Sequence, residues 1–426
     1  MRRNMGTGKI ILVILGAVLL SIICQLHYLS AYSVAPLSQL CVDPAGSPSC
    51  FVSIQTAVHA ATDGDEILIA AGWYTETVLI TKQLTLIGGW QPMGSILTET
   101  VIVPPAMAEC GVRVQDVNGR IEHLTIAHGT QYGLCVENSI DFSLSHFVAQ
   151  DNGQAGVAMA DASFVTITKS AFQNNGYQGL FISLLACPGS PAVMTIEESQ
   201  FSGNDRGGWL SAYCPTSIAA PSTAWLDRNR FSQNRVGIST SVPIITSTNN
   251  LFVSNDQIAI EMSRSRWTGI HDTIADNGLG AFRLQNGWIK ICHNFIVHLT
   301  NTIVWDNGIL LQEPTALPCY AFEFNVDHSI VQDIDVHGDE WNVNVGTAVY
   351  TLPPLLDENY YPQNPSLAVD HGLATPFTTD FAGTERPIDG DQNGIAQADM
   401  GALESPPHPI WRTYLPFIPQ MANSAK

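Results

Sequence analysis

An internal repeat constrains the fold of this chain more than any other feature. Phrases such as SAFQNNGYQG, SQFSGNDRGG and NRFSQNRVG recur through its middle, each built around one large apolar residue. Successive apolar positions lie 21 to 30 residues apart, at Leu124, Phe147, Phe172, Phe201, Phe231, Phe252, Ile274, Ile303 and Ile330. A repeat of this length predicts a solenoid, in which each unit packs on its two neighbours.

Two further columns indicate that the repeating units are strands. An asparagine follows the apolar position by three residues at Asn175, Asn204, Asn234, Asn255 and Asn277. A second apolar residue stands five residues before the same apolar position, at Ile167, Ile196 and Leu226. Apolar and polar residues alternate with a period of two, and the stripes of helical repeats and the dense leucines of leucine-rich repeats are absent. We therefore predict an all-β chain, a β-helix with two or three short strands per coil. Its stacked asparagines would form an amide ladder that satisfies backbone groups of the turns.

The cysteines fit the same architecture. The chain has nine; Cys24 lies in an apolar run, and the remaining eight are an even number, as expected of a disulfide set in an exported protein. Stacked coils bring residues one coil apart within disulfide distance. The predicted bridges are Cys110–Cys135, Cys187–Cys214 and Cys292–Cys319, at separations of 25 to 27 residues, and Cys41–Cys50, which would close a small loop.

The N-terminus has the pattern of an export signal. Arg2, Arg3 and Lys9 flank an uncharged apolar run over residues 10–24. This run is shorter than the roughly 20 residues that span a bilayer, which favours a cleaved signal. An uncleaved anchor over residues 10–29 remains the alternative. We expect an exported protein, extracellular or on the cell surface, that meets the membrane only through this segment.

The charge excludes one class of partner. The formal net charge is −20 and the sequence pI is about 4.8. No surplus of lysine and arginine exists to neutralise phosphates, so nucleic acid is not an expected partner. An acidic polysaccharide would need a bridging cation or a local basic patch.

The ends of the repeat array differ from its middle. Residues 52–61 predict a short amphipathic helix with Ile54, Ala57, Val58 and Ala61 on one face, which would cap the open end of the solenoid. The chain becomes proline-rich after Glu404. We assign residues 1–35 to a signal peptide or signal-anchor, 36–404 to the β-helix domain (cap about 41–65, coils about 66–350, closing segment about 351–404) and 405–426 to a Pro-rich tail.

The run SIQTAVHAATDGDEILIAAGWYTETV, from Ser53 to Val78, resembles the N-terminal part of pectin-lyase-fold proteins, the right-handed parallel β-helix repeat proteins of bacterial exported and surface type. The later F-x-x-N-x-x-x-G units resemble their coils, and Arg386 to Glu404 resembles the closing motif of bacterial surface members. The resemblance covers roughly residues 50–404 and implies a right-handed parallel β-helix. It implies no single activity, because this fold hosts lyases, hydrolases, epimerases, adhesins and inert stalks.

A first group of candidate site residues is Arg264, Arg266, His271 and Asp272. Arginines concentrated over residues 206–283 of an acidic chain suggest a groove for an acidic sugar, with Trp209, Trp225 or Trp267 stacking on a ring. Arginine and histidine would be the natural bases of a lyase. Cross-coil ion pairs with Asp227 and Asp256 explain the same arginines, among them Arg228, Arg230 and Arg235, without a function.

A second group is Asp333, Asp335 and His337, with Asp339 beyond them. At the strand period of two these side chains share one face, where they would bind a cation or serve as acid and base. The alternative is a solvated outer face whose charges discourage edge pairing.

A third group is Asp389, Asp391, Asn393 and Asp399. Alternate oxygen ligands with Gly394 at the sixth position fit a calcium loop, although the last acid stands at position 11 rather than 12. An Asx-rich turn is the alternative. Calcium is the one cofactor that the sequence suggests.

These observations favour an exported β-helix protein that binds glycan or cell-envelope material without catalysis. The motif sets of polygalacturonase-like hydrolases and of pectate lyases are absent from the sequence. A polysaccharide lyase or glycoside hydrolase acting on an acidic polysaccharide is the alternative, and an inert structural stalk is the second alternative.

Overall fold

The structure, a computed structural model, describes residues 38–91, 99–186, 191–213, 222–285, 295–308, 311–312, 322–332 and 341–406. These residues form one helix, α1 (Ile54–Ala60), and three long sheets in which every strand pairs in parallel with the next coil. The chain passes once through the first, second and third sheet in each coil. The predicted all-β fold class, a parallel β-helix, is confirmed. Within the described residues, no helix is long and apolar enough to cross a membrane.

The strands of the three sheets alternate along the chain. The first sheet contains Gln39–Val42, Glu66–Ala70, Leu84–Trp90, Gly119–Glu122, Asp141–Ser145, Phe164–Thr168, Val193–Glu197, Thr223–Asp227, Ile244–Thr248, Arg266–Ile270, Phe295–Thr300, Phe322–Asp327 and Trp341–Val345. The second contains Gly72–Tyr74, Thr100–Ile102, Leu124–Ala127, Val148–Gln150, Ala171–Gln173, Gln200–Ser202, Arg230–Ser232, Leu251–Val253, Thr273–Ala275, Ile303–Trp305, Ser329–Val331 and Val349–Tyr350. The third contains Val78–Ile80, Cys110–Gln115, Tyr132–Glu137, Val157–Ala160, Gln178–Leu185, Arg206–Tyr213, Val236–Thr240, Ile258–Met262, Gly280–Leu284 and Leu311–Gln312.

The central part of the predicted apolar column is confirmed as a stack inside the second sheet. Phe172, Phe201, Phe231 and Phe252 pair in register and lie with successive ring centroids 4.8, 4.5 and 4.8 Å apart. Ile274 continues the column. The second predicted column, Ile167, Ile196 and Leu226, is also in register, inside the first sheet. Stacking identical side chains at the strand spacing gives the core its continuous apolar axis.

The prediction was wrong at both ends of the apolar column. Ala149, not Phe147, pairs with Phe172, so Leu124 and Phe147 lie two residues upstream of the column. Val304, not Ile303, pairs with Ile274, and Ile330 pairs with Ile303. A shift of one residue in a strand moves a side chain to the opposite face. Ile303 and Ile330 therefore lie on the outside of the coil, where a later segment covers them.

The asparagine ladder is confirmed at all five predicted positions. Each Nδ2 donates to the Oδ1 of the next coil at 2.7 to 3.1 Å along Asn152, Asn175, Asn204, Asn234, Asn255, Asn277 and Asn307. The same side chains bond the backbone of the turn between the second and third sheets. Buried turn amides and carbonyls are thereby satisfied where water cannot reach them.

A second polar ladder runs through the turn between the first and second sheets and was not predicted. Each side-chain oxygen accepts the backbone N–H one coil earlier; the ladder comprises Ser170, Ser199, Asn229, Asn250 and Asp272, and resumes with Ser329 bonding the N–H of Thr302. Its members stand two residues before the apolar column. That spacing is visible in the sequence once the register of the column is correct.

The predicted capping helix is confirmed. In α1, Ile54, Ala57 and Val58 are buried against the first coil. Glu76 closes its N-terminus, since its carboxylate accepts the N–H of Ile54 at 2.9 Å and of Gln55 at 3.0 Å. At the other end, Lys82 Nζ donates to the carbonyl of Ala61 at 2.6 Å. Opposite charges at the two helix ends complement the helix dipole.

Two of the four predicted disulfides are confirmed. Cys41–Cys50 and Cys110–Cys135 are bonded, with Cα atoms 4.8 and 5.9 Å apart. Cys187, Cys214, Cys292 and Cys319 lie outside the described residues, so their pairing stays a prediction.

The segment after the last coil, residues 351–406, packs along the outer face of the second sheet. Ala402 and Leu403 cover Leu251, Val253 and Ala275. Phe377 reaches Trp225 of the first sheet, with ring centroids 6.0 Å apart. The covered strands are buried on both faces, as apolar strands between two layers are. We call residues 351–406 the closing segment.

Candidate functional site

The structure does not bring Arg264, Arg266, His271 and Asp272 together. Arg266 begins a strand of the first sheet and His271 follows its end, about 17 Å away at the usual rise per residue. Arg264 and Arg266 line a shallow pocket of about 310 Å³ with Pro243, Ile244, Ser265 and Ile296. His271 and Asp272 lie elsewhere, and each is fully buried.

His271 holds the closing segment. Its Nδ1 donates to the carbonyl of Asp399 at 3.2 Å, and its Nε2 accepts from Thr375 Oγ1 and Asn301 Nδ2, both at 3.0 Å. Burial and then the charge of Arg386 lower the pKa of His271 well below its ordinary value. The ring is therefore a neutral structural contact, and no substrate can reach it.

The remaining arginines of the first predicted group are paired or covered. Arg228 pairs with Asp227 and Glu198, both at 2.9 Å. Arg235 pairs with Asp205 at 2.5 Å, and this bond is the main reason that the pKa of Asp205 is lowered. Arg230 lies over the ring of Tyr360 in the closing segment, 5.7 Å from its centroid. Asp227 was predicted as a cross-coil partner, but it pairs with Arg228 as its neighbour in sequence, and the cross-coil partner of Arg228 is Glu198.

The three candidate tryptophans have different positions. Trp267 is fully buried inside the coil against Phe252, with ring centroids 5.8 Å apart, so its prediction as a stacking platform was wrong. Trp225 is covered in part by Phe377. Trp209 is half-buried on the outer face of the third sheet, and Trp225 is 36% exposed despite Phe377, so both retain a surface for a ligand.

The outer face of the third sheet has two rows of outward side chains, and the second row is a floor of small side chains. Leu180, Ile182 and Leu184 point into the core, so the residues between them point outward. One outward row is Ala158, Phe181, Trp209, Ser239, Glu261 and Arg283, in register across six coils. The next outward row is Ala160, Ser183 and Ser211, extended by Ser241, whose hydroxyl lies 3.1 Å from Ser211 Oγ. At about 4.8 Å per coil, the first row is roughly 24 Å long.

Aromatic rings and Arg206 form one wall beside this floor. The Arg206 guanidinium lies between Trp209 and Tyr177, 5.3 and 5.5 Å from their centroids. Phe181 meets Trp209 edge to face at 6.0 Å. Arg206 Nη1 also donates to Asp205 at 2.9 Å and to the Tyr177 hydroxyl at 3.2 Å. These contacts fix the orientation of the rings.

A carboxylate follows in the same row. Glu261 accepts the Ser239 hydroxyl at 2.7 Å and Arg283 Nε at 2.6 Å, and it lies 3.7 Å from Arg206 Nη2. It is only 3% exposed in its side chain, because these groups cover it. We call the set Tyr177, Phe181, Arg206, Trp209, Ser239, Glu261 and Arg283 the third-sheet surface. Five of its members, all except Tyr177 and Arg206, stand one residue after a buried column, a pattern that the sequence holds but that needs the correct register to be found.

The predicted calcium loop brings part of its residues together. Oxygen atoms of Asp389 and Asp391 converge with one of Asp370, all within 4.8 Å of one another. Asp399 is fully buried instead, and its carboxylate accepts the N–H groups of Asp370 and Ser405, at 2.8 and 2.5 Å. Burial, then the charge of Glu404, raises its pKa to about 8. Asp370, which the sequence pattern missed, stands in the cluster instead of Asp399.

The loop also has the bonds of an Asx-rich turn. Asp389 accepts the N–H of Asn393 at 3.0 Å and of Gly394 at 2.9 Å, and Asp391 accepts the N–H and Nδ2 of Asn393. Calcium binding here stays a prediction. Asp333, Asp335 and His337 lie outside the described residues, and their predicted role stays a prediction as well.

Comparisons with known proteins agree with the fold. The family model described as "Right handed beta helix region" matches residues 94–223. The chain is thus a right-handed parallel β-helix, as its resemblance to pectin-lyase-fold proteins implied. A search of curated proteins by sequence found no match.

Solved structures with similar folds have low sequence identity. Pectate lyase Pel9A is 13% identical over 87% of this chain and 98% of its own, with a TM-score of 0.49. XylC in complex with xylose is 10% identical over 86% and 98%, with a TM-score of 0.48. The A-module of the Azotobacter vinelandii mannuronan C-5 epimerase AlgE6 is 14% identical over 70% and 93%, with a TM-score of 0.45.

Proposed function

We propose that this protein is an exported β-helix that binds a glycan chain of the extracellular medium or cell envelope along its third-sheet surface. The observation that carries the proposal is the arrangement of Trp209, Phe181 and Tyr177 beside a floor of alanine and serine. Sugar rings present apolar faces that pack on aromatic side chains, and their hydroxyls bond to arginine and carboxylate groups. The outward row from Ala158 to Arg283, about 24 Å long, suits an extended polymer.

The charges of this surface support a polar ligand. Arg206 and Arg283 of this surface, with neighbouring Arg235, outnumber Glu261 and neighbouring Asp205, in a chain whose net charge is −20. A locally positive strip on an acidic protein attracts the acid groups of a glycan, which the rest of the surface repels. Because the arginines are held by rings and carboxylates, their geometry is set before a ligand arrives.

The disulfides support export. Cys41–Cys50 and Cys110–Cys135 are formed within the part of the chain that the structure describes. Structural disulfides persist in oxidising compartments. An apolar run over residues 10–24 precedes them, so we place the protein outside the cytoplasm, released or anchored through residues 10–29.

A glycan array, followed by an ultraviolet assay for unsaturated products, tests this function. We expect retention of at least one extended glycan without release of products. Unsaturated products would instead establish a polysaccharide lyase, and new reducing ends a glycoside hydrolase. Failure to retain any glycan would contradict the binding function and leave the inert stalk.

A further inference from the structure

The Asn393–Gly394 pair differs in exposure from the other Asn-Gly pairs of the described chain. Both residues of the pair are exposed, next to Ile395, which is 69% exposed. Asn152, Asn175 and Asn277 of the buried ladder also precede glycine, as do half-buried Asn307 at the end of the ladder and half-buried Asn118. Asparagine is a thermolabile residue, and glycine leaves the following amide nitrogen unshielded. The ladder and the loop therefore offer the same chemical pair in two environments.

In the ladder, the backbone amide that could attack the asparagine side chain donates to a carbonyl oxygen, which does not take up a proton. The N–H of Gly153 donates to the backbone carbonyl of Gly129 at 2.8 Å. The N–H groups of Gly176 and Gly278 donate to the backbone carbonyls of Asn152 and Asn255, at 2.8 and 2.9 Å. The side-chain amides are bonded to the next coil. Reaction at these sites would require the coils to separate.

In the loop, the reacting groups bond to two carboxylates and to one backbone N–H. The N–H of Gly394 donates to Asp389 Oδ2 at 2.9 Å, so a base lies at the attacking nitrogen. Asn393 Oδ1 accepts the N–H of Ile395 at 2.8 Å, which stabilises negative charge on that oxygen. Asn393 Nδ2 donates to Asp391 Oδ2 at 2.8 Å, which holds the amide in this orientation.

We propose that Asn393 is a self-modification site, at which the chain converts its own asparagine into aspartate or isoaspartate. The Gly394 nitrogen bonds to the side-chain carbonyl carbon of Asn393 as Asp389 takes its proton. The bond from that carbon to Nδ2 then breaks, and ammonia leaves with the proton. A cyclic imide remains, and water opens it at either carbonyl. The product places a fourth carboxylate beside Asp370, Asp389 and Asp391, or an extra backbone methylene in the turn.

Peptide mapping by mass spectrometry tests this inference. The full chain is aged in neutral buffer with a chelator, both folded and unfolded in urea, and conversion is followed at each Asn-Gly pair. We expect conversion at Asn393 to be several-fold faster in the folded chain than in urea. We expect Asn152, Asn175 and Asn277 to convert in urea only. A folded rate at Asn393 equal to or below the urea rate would overturn the proposal.

The variant Asp389→Asn removes the base and should reduce the folded rate at Asn393 to that of the unfolded chain. Glu385→Gln, an exposed change nearby, serves as its control and should leave the rate unchanged. Ile395→Pro removes the N–H that bonds Asn393 Oδ1 and should slow conversion while Asp389 remains. If Asn393 converted at the wild-type rate in both Asp389→Asn and Ile395→Pro, the roles assigned to Asp389 and to the Ile395 N–H would be contradicted.

Discussion

Asp272 lies one coil beyond Asn250, and its Oδ1 accepts the Asn250 backbone N–H at 2.9 Å. Asn250 bonds to the N–H of Asn229 in the same way, at 2.7 Å. The ladder therefore places an acid at a position where the two preceding coils use an amide. Asp272 is fully buried, and burial raises its pKa to about 7.

The variant Asp272→Asn should change how stability depends on pH. Below about pH 4 both folded and unfolded chains bind the proton. Between about pH 4 and 7 only the folded chain retains it, so the free energy of unfolding falls as pH rises, by up to about 4 kcal/mol in total, and then stays constant. Denaturant titrations of the wild type and the variant at pH 4, 6 and 8 should diverge, with the variant more stable at pH 8. Exposed Asp116→Asn serves as the control and should keep the pH dependence of the wild type. If Asp272→Asn also kept it, the raised pKa assigned to Asp272 would be refuted.

The asparagine ladder should contribute strongly to stability. Asn234 Nδ2 donates to the Phe201 carbonyl at 2.9 Å, and its Oδ1 accepts the N–H of Asn204 at 3.0 Å. Asn234→Ala leaves both backbone groups buried without partners, which should lower the free energy of unfolding by about 2 to 4 kcal/mol. Exposed Asn342→Ala should change it by less than about 0.5 kcal/mol. Urea denaturation measures the free energy of unfolding of both variants. Similar losses in Asn234→Ala and Asn342→Ala would contradict the stabilising role of the ladder.

The ion pair of Arg386 and Glu404 should hold the closing segment. The side chains are 1% and 0% exposed, and Arg386 also donates to the Gly401 carbonyl at 2.8 Å. Arg386→Met leaves a buried carboxylate without its cation, at a cost of about 3 to 5 kcal/mol. Limited proteolysis should then cut within residues 351–406 first. Arg120→Met breaks the more exposed pair with Glu122 and should leave the digestion pattern unchanged.

Calcium should bind the cluster of Asp370, Asp389 and Asp391 if the loop prediction holds. Isothermal titration with calcium should show one site, and Asp391→Asn should weaken it at least tenfold by removing a charged ligand. Asp399→Asn should leave the affinity nearly unchanged where the variant folds, because Asp399 bonds to Asp370 and Ser405 backbone groups instead. Absence of calcium uptake by the wild type would reject the site and leave the Asx-rich turn.

The sequence predicts the architecture because the stacking of coils repeats the same physical demand. Phe201 and Phe231 lie in register, and Asn204 and Asn234 bond to one another, since each coil must fill the same core and satisfy the same turn. Where a coil packs against another segment on its outer face, the apolar spacing no longer identifies the core residue. Ile303 continues the apolar spacing by eye, yet it faces outward, because the closing segment supplies a second apolar layer that the repeat alone does not reveal.

The candidate site is harder to predict, because it depends on which face a residue occupies. Trp209 and Trp267 are equivalent in sequence terms, but one lies outside the third sheet and the other inside the first. Arg266 and His271 are close in sequence and separated by a strand. Glu261 and Arg206, 55 residues apart, meet because two coils and their register bring them to one surface.

The most direct test of the central claim compares two tryptophans. Trp209 belongs to the third-sheet surface, whereas Trp73 lies on the second sheet and is 56% exposed. Fluorescence or calorimetric titration with the glycan that the array retains should show at least a tenfold loss of affinity for Trp209→Ala, about 1.4 kcal/mol. Trp73→Ala should bind as the wild type does. Unchanged affinity in Trp209→Ala, or an equal loss in Trp73→Ala, would contradict the proposed surface.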